Sequence, residues 1–399
     1  MKNILYVSTV CSQKKFEKIY EESIVKPQQQ SQKFHSLFLQ GLAQLNHNLY
    51  VMSTLPINSK SNREAWTRKS RELEGNIHYT YLPYFRFSLI KHLVVFISAF
   101  ITCFVWSMKK SNKVLICDVL NLTSSMAALF VSKLFRYKSV AIVTDLPLYL
   151  SQYSRGDKKS KSLITNCYAS LCNYFISKYD MYMILTEQMN EVVNPLNKPY
   201  VVIEGMVDLN MAHKFNNLEN KYEEKVIIYA GALFEKYGVK KLIEAFINTS
   251  AVDARLWLYG AGEMEKEIMM YQKKDKRIRY FGVVPNTQVV QEEIRATLLV
   301  NPRPSTEEFT KYSFPSKNME YMVSGTPLLT TKLPGMTEDY YDYVYLIENE
   351  SVEDITEAIE ELLMKSNEEL NLKGYLAKEF VLKEKNNLVQ AKKLLEKIT

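Results

Sequence analysis

The sequence predicts an α/β protein made of two doubly wound, Rossmann-like domains in tandem. Short apolar runs alternate with helical stretches over residues 1–200, and strands separated by helices imply a parallel sheet covered on both faces. The same pattern restarts near Lys225. The length of 399 residues points the same way, because one hydrophobic core rarely serves so long a chain.

In the first half the expected strands are Asn3–Ser8, Leu49–Ser53, Ile77–Leu82, Lys113–Asp118, Ser139–Thr144 and Met181–Leu185, with helical stretches such as Ser31–Leu45 and Ser124–Leu134 between them. In the second half VIIYAGAL, ARLWLYG, IRYFGVV, ATLLVNP and PLLTT read as strands. The joint is expected near Pro199–Asp208, giving domains over 1–204 and 205–375. Leu376–Ile398 is amphipathic and charged, and the 376–399 tail is expected as a final helix packing back on the first domain.

Apolar residues make up 47% of the chain and charged residues 24%, which fits a folded protein and excludes disorder. Charge is uneven. Residues 1–200 hold 25 Lys and Arg against 12 Asp and Glu, and the remainder holds 26 against 32. A basic half suggests an anionic neighbour, either nucleic acid or acidic lipid. The five cysteines form no CxxC pair, so buried free thiols in a reducing cytoplasm are expected. The opening MKNILYVSTV reads as a strand and lacks the apolar region and cleavage site of a signal peptide.

The stretch Leu89–Met108 is nearly all apolar; Lys91 and His92 leave about 16 uninterrupted residues, fewer than the roughly 20 a spanning helix needs. Three readings stay open: a buried helix, a helix lying in one leaflet of a bilayer, and a spanning helix. For the second, Arg86, Lys91, Lys109, Lys110 and Lys113 would meet anionic head groups. The cluster Arg155, Lys158, Lys159 and Lys161 either joins that surface or is a solvated loop.

The richest chemistry lies in NPRPSTEEFTKYSFPSKNMEYMVSGTPLLTT, residues 301–331. Pro315 suits the first turn of a helix, where its missing N–H costs nothing. The amides of Ser316, Lys317 and Asn318 are then expected to be free, and such an end attracts phosphate. Lys317 adds a full charge. Glu320 follows about one turn later, a carboxylate suited to diol hydroxyls. A nucleotide sugar offers both partners.

With these residues in view, the chain resembles the family 4 glycosyltransferases, whose fold is termed GT-B. YAGALFEKYGVKKLIEAF, RLWLYGAGEMEKEI, IRYFGVVPNTQVVQEEI and FPSKNMEYMVSGTPLLTT carry the resemblance, which is strongest over Val226–Thr331. It implies two Rossmann-like domains facing an interdomain cleft, a C-terminal domain that holds the nucleotide sugar, and an N-terminal domain that presents the acceptor. It also implies retention of anomeric configuration and no metal at the pyrophosphate. The chain agrees in lacking an Asp-x-Asp pair, and no GxxxxGK[ST] loop suggests a kinase or ATPase. No cofactor is expected.

The pattern departs from the family at three places. Glu320 matches the second of two glutamates, but the first position is Tyr312. Ala232 and Tyr237 stand where the family places Arg and Lys.

Candidate site residues follow. Lys317 would stabilise the leaving diphosphate, and Lys236, beside the vacated lysine position, would help. Glu320 would hold the ribose. Glu308 would hold the donor sugar, and Arg303 is either structural or a phosphate partner. Gly231 and Ala232 would let the backbone approach the donor, Ser316 and Asn318 would join the phosphate site, and Val284 would flank the base. Gly260 and Gly262 are read as tight-turn packing. In the first domain the loop Gln28–Ser31 would face the cleft, and Asp145 would orient or deprotonate the acceptor hydroxyl. The histidines have no metal-ligand spacing.

The expected activity is transfer from a nucleoside diphosphate sugar, foremost a UDP-sugar, to a saccharide or lipid-linked acceptor. The setting would be capsule or exopolysaccharide synthesis at the cytoplasmic face of the membrane. A catalytically silent partner subunit and a nucleotide-sugar epimerase are the rivals. Nucleic-acid binding lacks a recognised motif and is not expected.

Overall fold

The computed structural model describes residues 1–57, 66–85, 88–146 and 163–398. Arg86, Arg155, Lys158, Lys159 and Lys161 lie outside the described residues. The chain forms two compact units, Met1–Met206 with Asn387–Thr399, and Val207–Asn386.

Unit 1 is built on an eight-stranded sheet of β1 (Asn3–Ser8), β2 (Asn48–Ser53), β4 (Ser70–Glu74), β5 (Ile77–Tyr81), β7 (Lys113–Asp118), β8 (Lys138–Val143), β9 (Met181–Ile184) and β10 (Tyr200–Val202). Their order is β10-β9-β8-β7-β1-β2-β5-β4. Every neighbouring pair is parallel except β4 with β5. The central strands are buried almost end to end, as expected where helices cover both faces. Two short strands, β3 (Trp66–Thr67) and β6 (Tyr84–Phe85), pair apart from this sheet.

Two features escaped the periodicity. Helix Gln13–Glu22 follows β1, capped by Ser12, whose Oγ accepts from Lys15 N at 3.2 Å. Gln28–Ser31 therefore does not follow strand one directly; it opens the next helix, Gln29–Gln44. The tail is not one helix either. Asn367–Glu384 and Asn387–Ile398 are separate helices, and only the second belongs to unit 1. There it packs on Gln29–Gln44. A Cβ on Gly41 would lie 2.1 Å from Asn387 O, so glycine permits the close approach.

Helix Ser88–Lys109 has two faces. Val95, Ala99, Cys103 and Trp106 are buried, with Cys103 Sγ 3.7 Å from Met52 Sδ and Trp106 edge-on to Tyr50. Ile90, Leu93, Ile97, Ile101, Val105 and Met108 are exposed. The stretch Ile90–Lys109 is long and apolar enough to cross a membrane by length and composition, yet only 22% of its most apolar window is buried. A fully buried core helix is thus excluded. Of the flanking cations, Lys109 is exposed, but Lys113 folds back to donate to Ser107 O at 2.8 Å.

Unit 2 is a six-stranded parallel sheet of β11 (Lys225–Ala230), β12 (Ala254–Tyr259), β13 (Ile278–Gly282), β14 (Leu298–Asn301), β15 (Leu328–Thr331) and β16 (Tyr345–Ile347), in the order β13-β12-β11-β14-β15-β16. The chain runs outward one way from β11 and then, from β14, the other way. In such sheets the crevice outside the carboxyl ends at this reversal is where ligands bind.

Candidate functional site

The loops beyond β11, β12 and β14 stack at the point of reversal. Gly260, at φ +124°, lies where a Cβ would come 1.8 Å from Gly231 O, and a Cβ on Gly262 would meet Leu233 O at 2.2 Å. The GxG after β12 thus supports the loop after β11, in line with the tight-turn reading. Gly238, at φ +78°, packs on Pro302 O, where a Cβ would sit at 1.9 Å. These contacts fix the backbone Gly231–Gly238 against the loop after β14. Tyr229 OH donates to Ala232 O at 2.9 Å, closing the turn from below.

Helix Ser316–Ser324 starts beside these loops. Pro315 is its N-cap, one residue earlier than expected. Asn318 is not a free donor, which corrects the expectation for this residue. Its amide donates to Pro315 O at 2.8 Å. Its side chain is buried, accepting from Asn301 Nδ2 at 2.6 Å and donating to Thr330 Oγ1 at 3.3 Å. It ties the helix to the ends of β14 and β15. The amides of Ser316 and Lys317 donate to no described group, and Ser316 is exposed.

Lys317 and Glu320 face each other, with Lys317 Nζ 3.3 Å from Glu320 Oε2. The cation and the carboxylate thus pair with one another, an arrangement that spacing alone did not reveal. Tyr321 comes next in the same helix. Its buried hydroxyl accepts from Ala230 N at 2.7 Å and donates to Ala230 O at 3.2 Å. This clamps the helix to the end of β11.

Lys236 is half-buried, its Nζ 5.4 Å from the Tyr237 ring centre. Glu308 is exposed at the start of the 3-10 turn Glu308–Lys311. Val284 is half-buried beyond β13, two residues past Gly282 at φ +71°. Gly231, Ala232, Lys236, Glu308, Ser316, Lys317 and Glu320 thus all lie on loops or a helix end at one edge of the unit 2 sheet.

Asp145 belongs to unit 1, two residues past β8. It keeps an exposed edge, while the surrounding protein and then the Asp118 carboxylate push its pKa up to about 6. A buried chain lies in the same unit. Tyr6 OH is 2.6 Å from His35 Nδ1, and His35 Nε2 is 3.4 Å from Asp118 Oδ2. Nothing in the spacing of the histidines signalled it.

Residues 211–379 match the family model of the glycosyl transferases group 1. Unit 2 is a group 1 glycosyltransferase domain. The match begins just inside this unit and ends within helix Asn367–Glu384, so it covers the reversal point and every loop described there. No curated protein matches the chain. Solved structures agree with the whole chain in fold. Sucrose-phosphate synthase from Thermosynechococcus elongatus is 13% identical, with a TM-score of 0.65 over 100% of this chain and 99% of that one. HepE from Anabaena, in complex with UDP, is 12% identical, with a TM-score of 0.63 over 99% of each. The catalytic domain of starch synthase IV from Arabidopsis thaliana, bound to ADP and acarbose, is 9% identical, with a TM-score of 0.67 over 100% and 98%. The chain therefore has the GT-B architecture of two parallel-sheet α/β units.

Proposed function

We propose that this glycosyltransferase moves a hexosyl group from a UDP-sugar to a saccharide or lipid-linked acceptor hydroxyl. One observation carries the reading: at the reversal of the unit 2 sheet, a helix end with two unsatisfied amides adjoins the Lys317–Glu320 pair. The amides and Lys317 suit a diphosphate, and Glu320 suits the ribose hydroxyls. HepE, which shares the fold, is seen with UDP and with UDP-glucose.

In this reading the bond between the anomeric carbon and the β-phosphate oxygen breaks, and its electron pair leaves with UDP. The acceptor oxygen forms the new bond on the same face, so configuration is retained. Its proton passes to the departing phosphate. Protein cations and amides meet the growing negative charge, a role a divalent ion plays elsewhere. Glu308 reaches toward the sugar hydroxyls.

The exposed stripe of helix Ser88–Lys109 supports an acceptor held at a membrane. Ile90, Leu93, Ile97, Ile101, Val105 and Met108 recur every three or four residues, the spacing of a helix lying in the bilayer plane. With Lys109 beside them, this face suits the anionic cytoplasmic leaflet.

The test is a panel of nucleotide sugars offered with lipid-linked and free saccharide acceptors. Transfer from one UDP-sugar is expected. Donor conversion without acceptor would instead indicate an epimerase, and complete inertness with every donor a silent subunit. Pelleting with anionic and neutral vesicles tests the membrane face, with binding to anionic vesicles alone expected.

A further inference from the structure

Arg303 is the first residue but one after β14, directly across the point of reversal from the loop Gly231–Gly238. Its guanidinium carbon lies 4.8 Å from the Tyr237 ring centre and 5.6 Å from that of Phe309. Nε is enclosed and has no hydrogen-bond partner. No described carboxylate pairs with it. Burial lowers its pKa from the ordinary arginine value.

A half-buried guanidinium without a counter-ion is costly, because part of its charge has left water and gained no opposite charge. Aromatic stacking recovers only part of that loss. The stacking also has a geometric effect. Rings cover the faces of the planar group, while its terminal Nη–H donors lie in the plane, clear of both rings. Tyr237 and Phe309 thus hold the fork in place without using its donors.

The backbone beneath is equally fixed. Thr331 Oγ1 donates to Arg303 O. Two residues earlier, Asn301 Nδ2 donates to Asn318 Oδ1 at 2.6 Å, in the first turn of helix Ser316–Ser324. A short hydrogen-bonded path therefore joins Arg303 to the helix end that bears Lys317.

We propose that Arg303 is a phosphate ligand of the donor site, gripping the diphosphate with its terminal Nη–H donors. The inference rests on the donor reading of unit 2 and adds a residue to it. As the anomeric bond breaks and its electron pair moves onto the diphosphate, Arg303 meets a charge that grows. The acceptor oxygen takes the vacated position on carbon, and its proton goes to the departing phosphate.

The test uses Arg303→Met, which keeps an unbranched chain against both rings and removes the charge. Thermal stability of the full chain is measured without ligand, with UDP, and with inorganic pyrophosphate; turnover is measured with the active donor. Arg303→Met is expected to melt at or above the wild-type temperature without ligand, since replacing an unpaired, half-buried charge by a matched apolar group removes its desolvation cost. Affinity for UDP and pyrophosphate is expected to fall about 30-fold, and turnover about 100-fold. Arg303→Lys, which retains charge but not the fork, should bind pyrophosphate several-fold more weakly than wild type. Unchanged UDP affinity in both variants overturns the inference, as does a Met variant that loses stability while binding UDP normally. A wild-type chain stabilised by none of UDP, GDP or ADP overturns the donor reading itself, and Arg303's role with it.

Discussion

At the scale of single residues, the pairing of Lys317 with Glu320 at 3.3 Å changes what each substitution reports. Glu320→Ala removes the proposed ribose partner and also releases Lys317. Lys317→Ala removes a charge that matters most when the diphosphate is leaving. Glu320→Ala should lower donor affinity about 10-fold. Lys317→Ala should lower turnover about 100-fold with a smaller loss of affinity. The double variant should fall short of the summed effects by about 0.5 kcal/mol, the scale of a partly exposed ion pair. Strictly additive effects would show that the two side chains act on the donor independently of their pairing. Asp145 makes a second prediction. Its folded pKa of about 6 lies above the ordinary 3.8, so the folded state holds this proton more tightly than the unfolded chain. Its stabilising effect is full below about pH 4 and is lost as pH rises to about 6. Asp145→Asn should erase that decline in urea-denaturation midpoints. If Asp145 takes the acceptor proton, wild-type turnover should rise through pH 6 and the Asn variant should stay low and flat. The start of helix Ser316–Ser324 was legible because a proline at a helix start is a local feature. Asn318 was misjudged because its burial depends on Asn301 and Thr330, which strand pairing brings near.

At the scale of elements, the strands were legible wherever a parallel sheet leaves a continuous apolar run. β1 and β7 match the sequence reading residue for residue, and β2, β5, β8 and β9 differ only at their ends. β4, SRELE, carries three charges in five residues at the edge of the sheet, next to β5, and so shows no apolar signal. Helix Gln13–Glu22 has only Phe16 and Ile19 buried, too few to reveal a helical period. The glycine pair after β12 was legible as a tight turn; which backbone it approaches required the fold. Gly260 combines φ +124° with a Cβ position 1.8 Å from Gly231 O, so alanine would be strained and would also displace the loop after β11. Gly260→Ala should destabilise the protein by about 3 kcal/mol. It should also weaken UDP binding, although its own side chain would touch no ligand. Unaltered calorimetric melting would contradict this loop stacking.

At the scale of the whole molecule, the chain enters unit 2 at Val207 and leaves it at Asn386, and the two crossings run side by side. Val207 N donates to Lys385 O at 3.0 Å, and Val207 bridges to Asn386. Unit 2 is thus closed by contacts between its own first and last residues, while the last helix completes unit 1. The sequence showed an amphipathic tail but not its break. KEKNN contains neither glycine nor proline, and its polar side chains suit a helix surface as well as a turn. The division has a thermodynamic consequence. Helix Asn387–Ile398 buries Ala391, Leu394, Leu395 and Ile398 in the unit 1 core. Losing those side chains should cost about 5 kcal/mol, a large part of the 5–15 kcal/mol typical of a domain. Truncation after Asn386 should therefore melt unit 1 at a much lower temperature, with transfer activity lost. The unit 2 transition should remain, still shifted upward by UDP, because each element that builds its site lies between Val207 and Asn386. Differential scanning calorimetry of the truncated chain, with and without UDP, measures both. One transition that falls as a whole and no longer responds to UDP would mean that the final helix supports the donor unit as well.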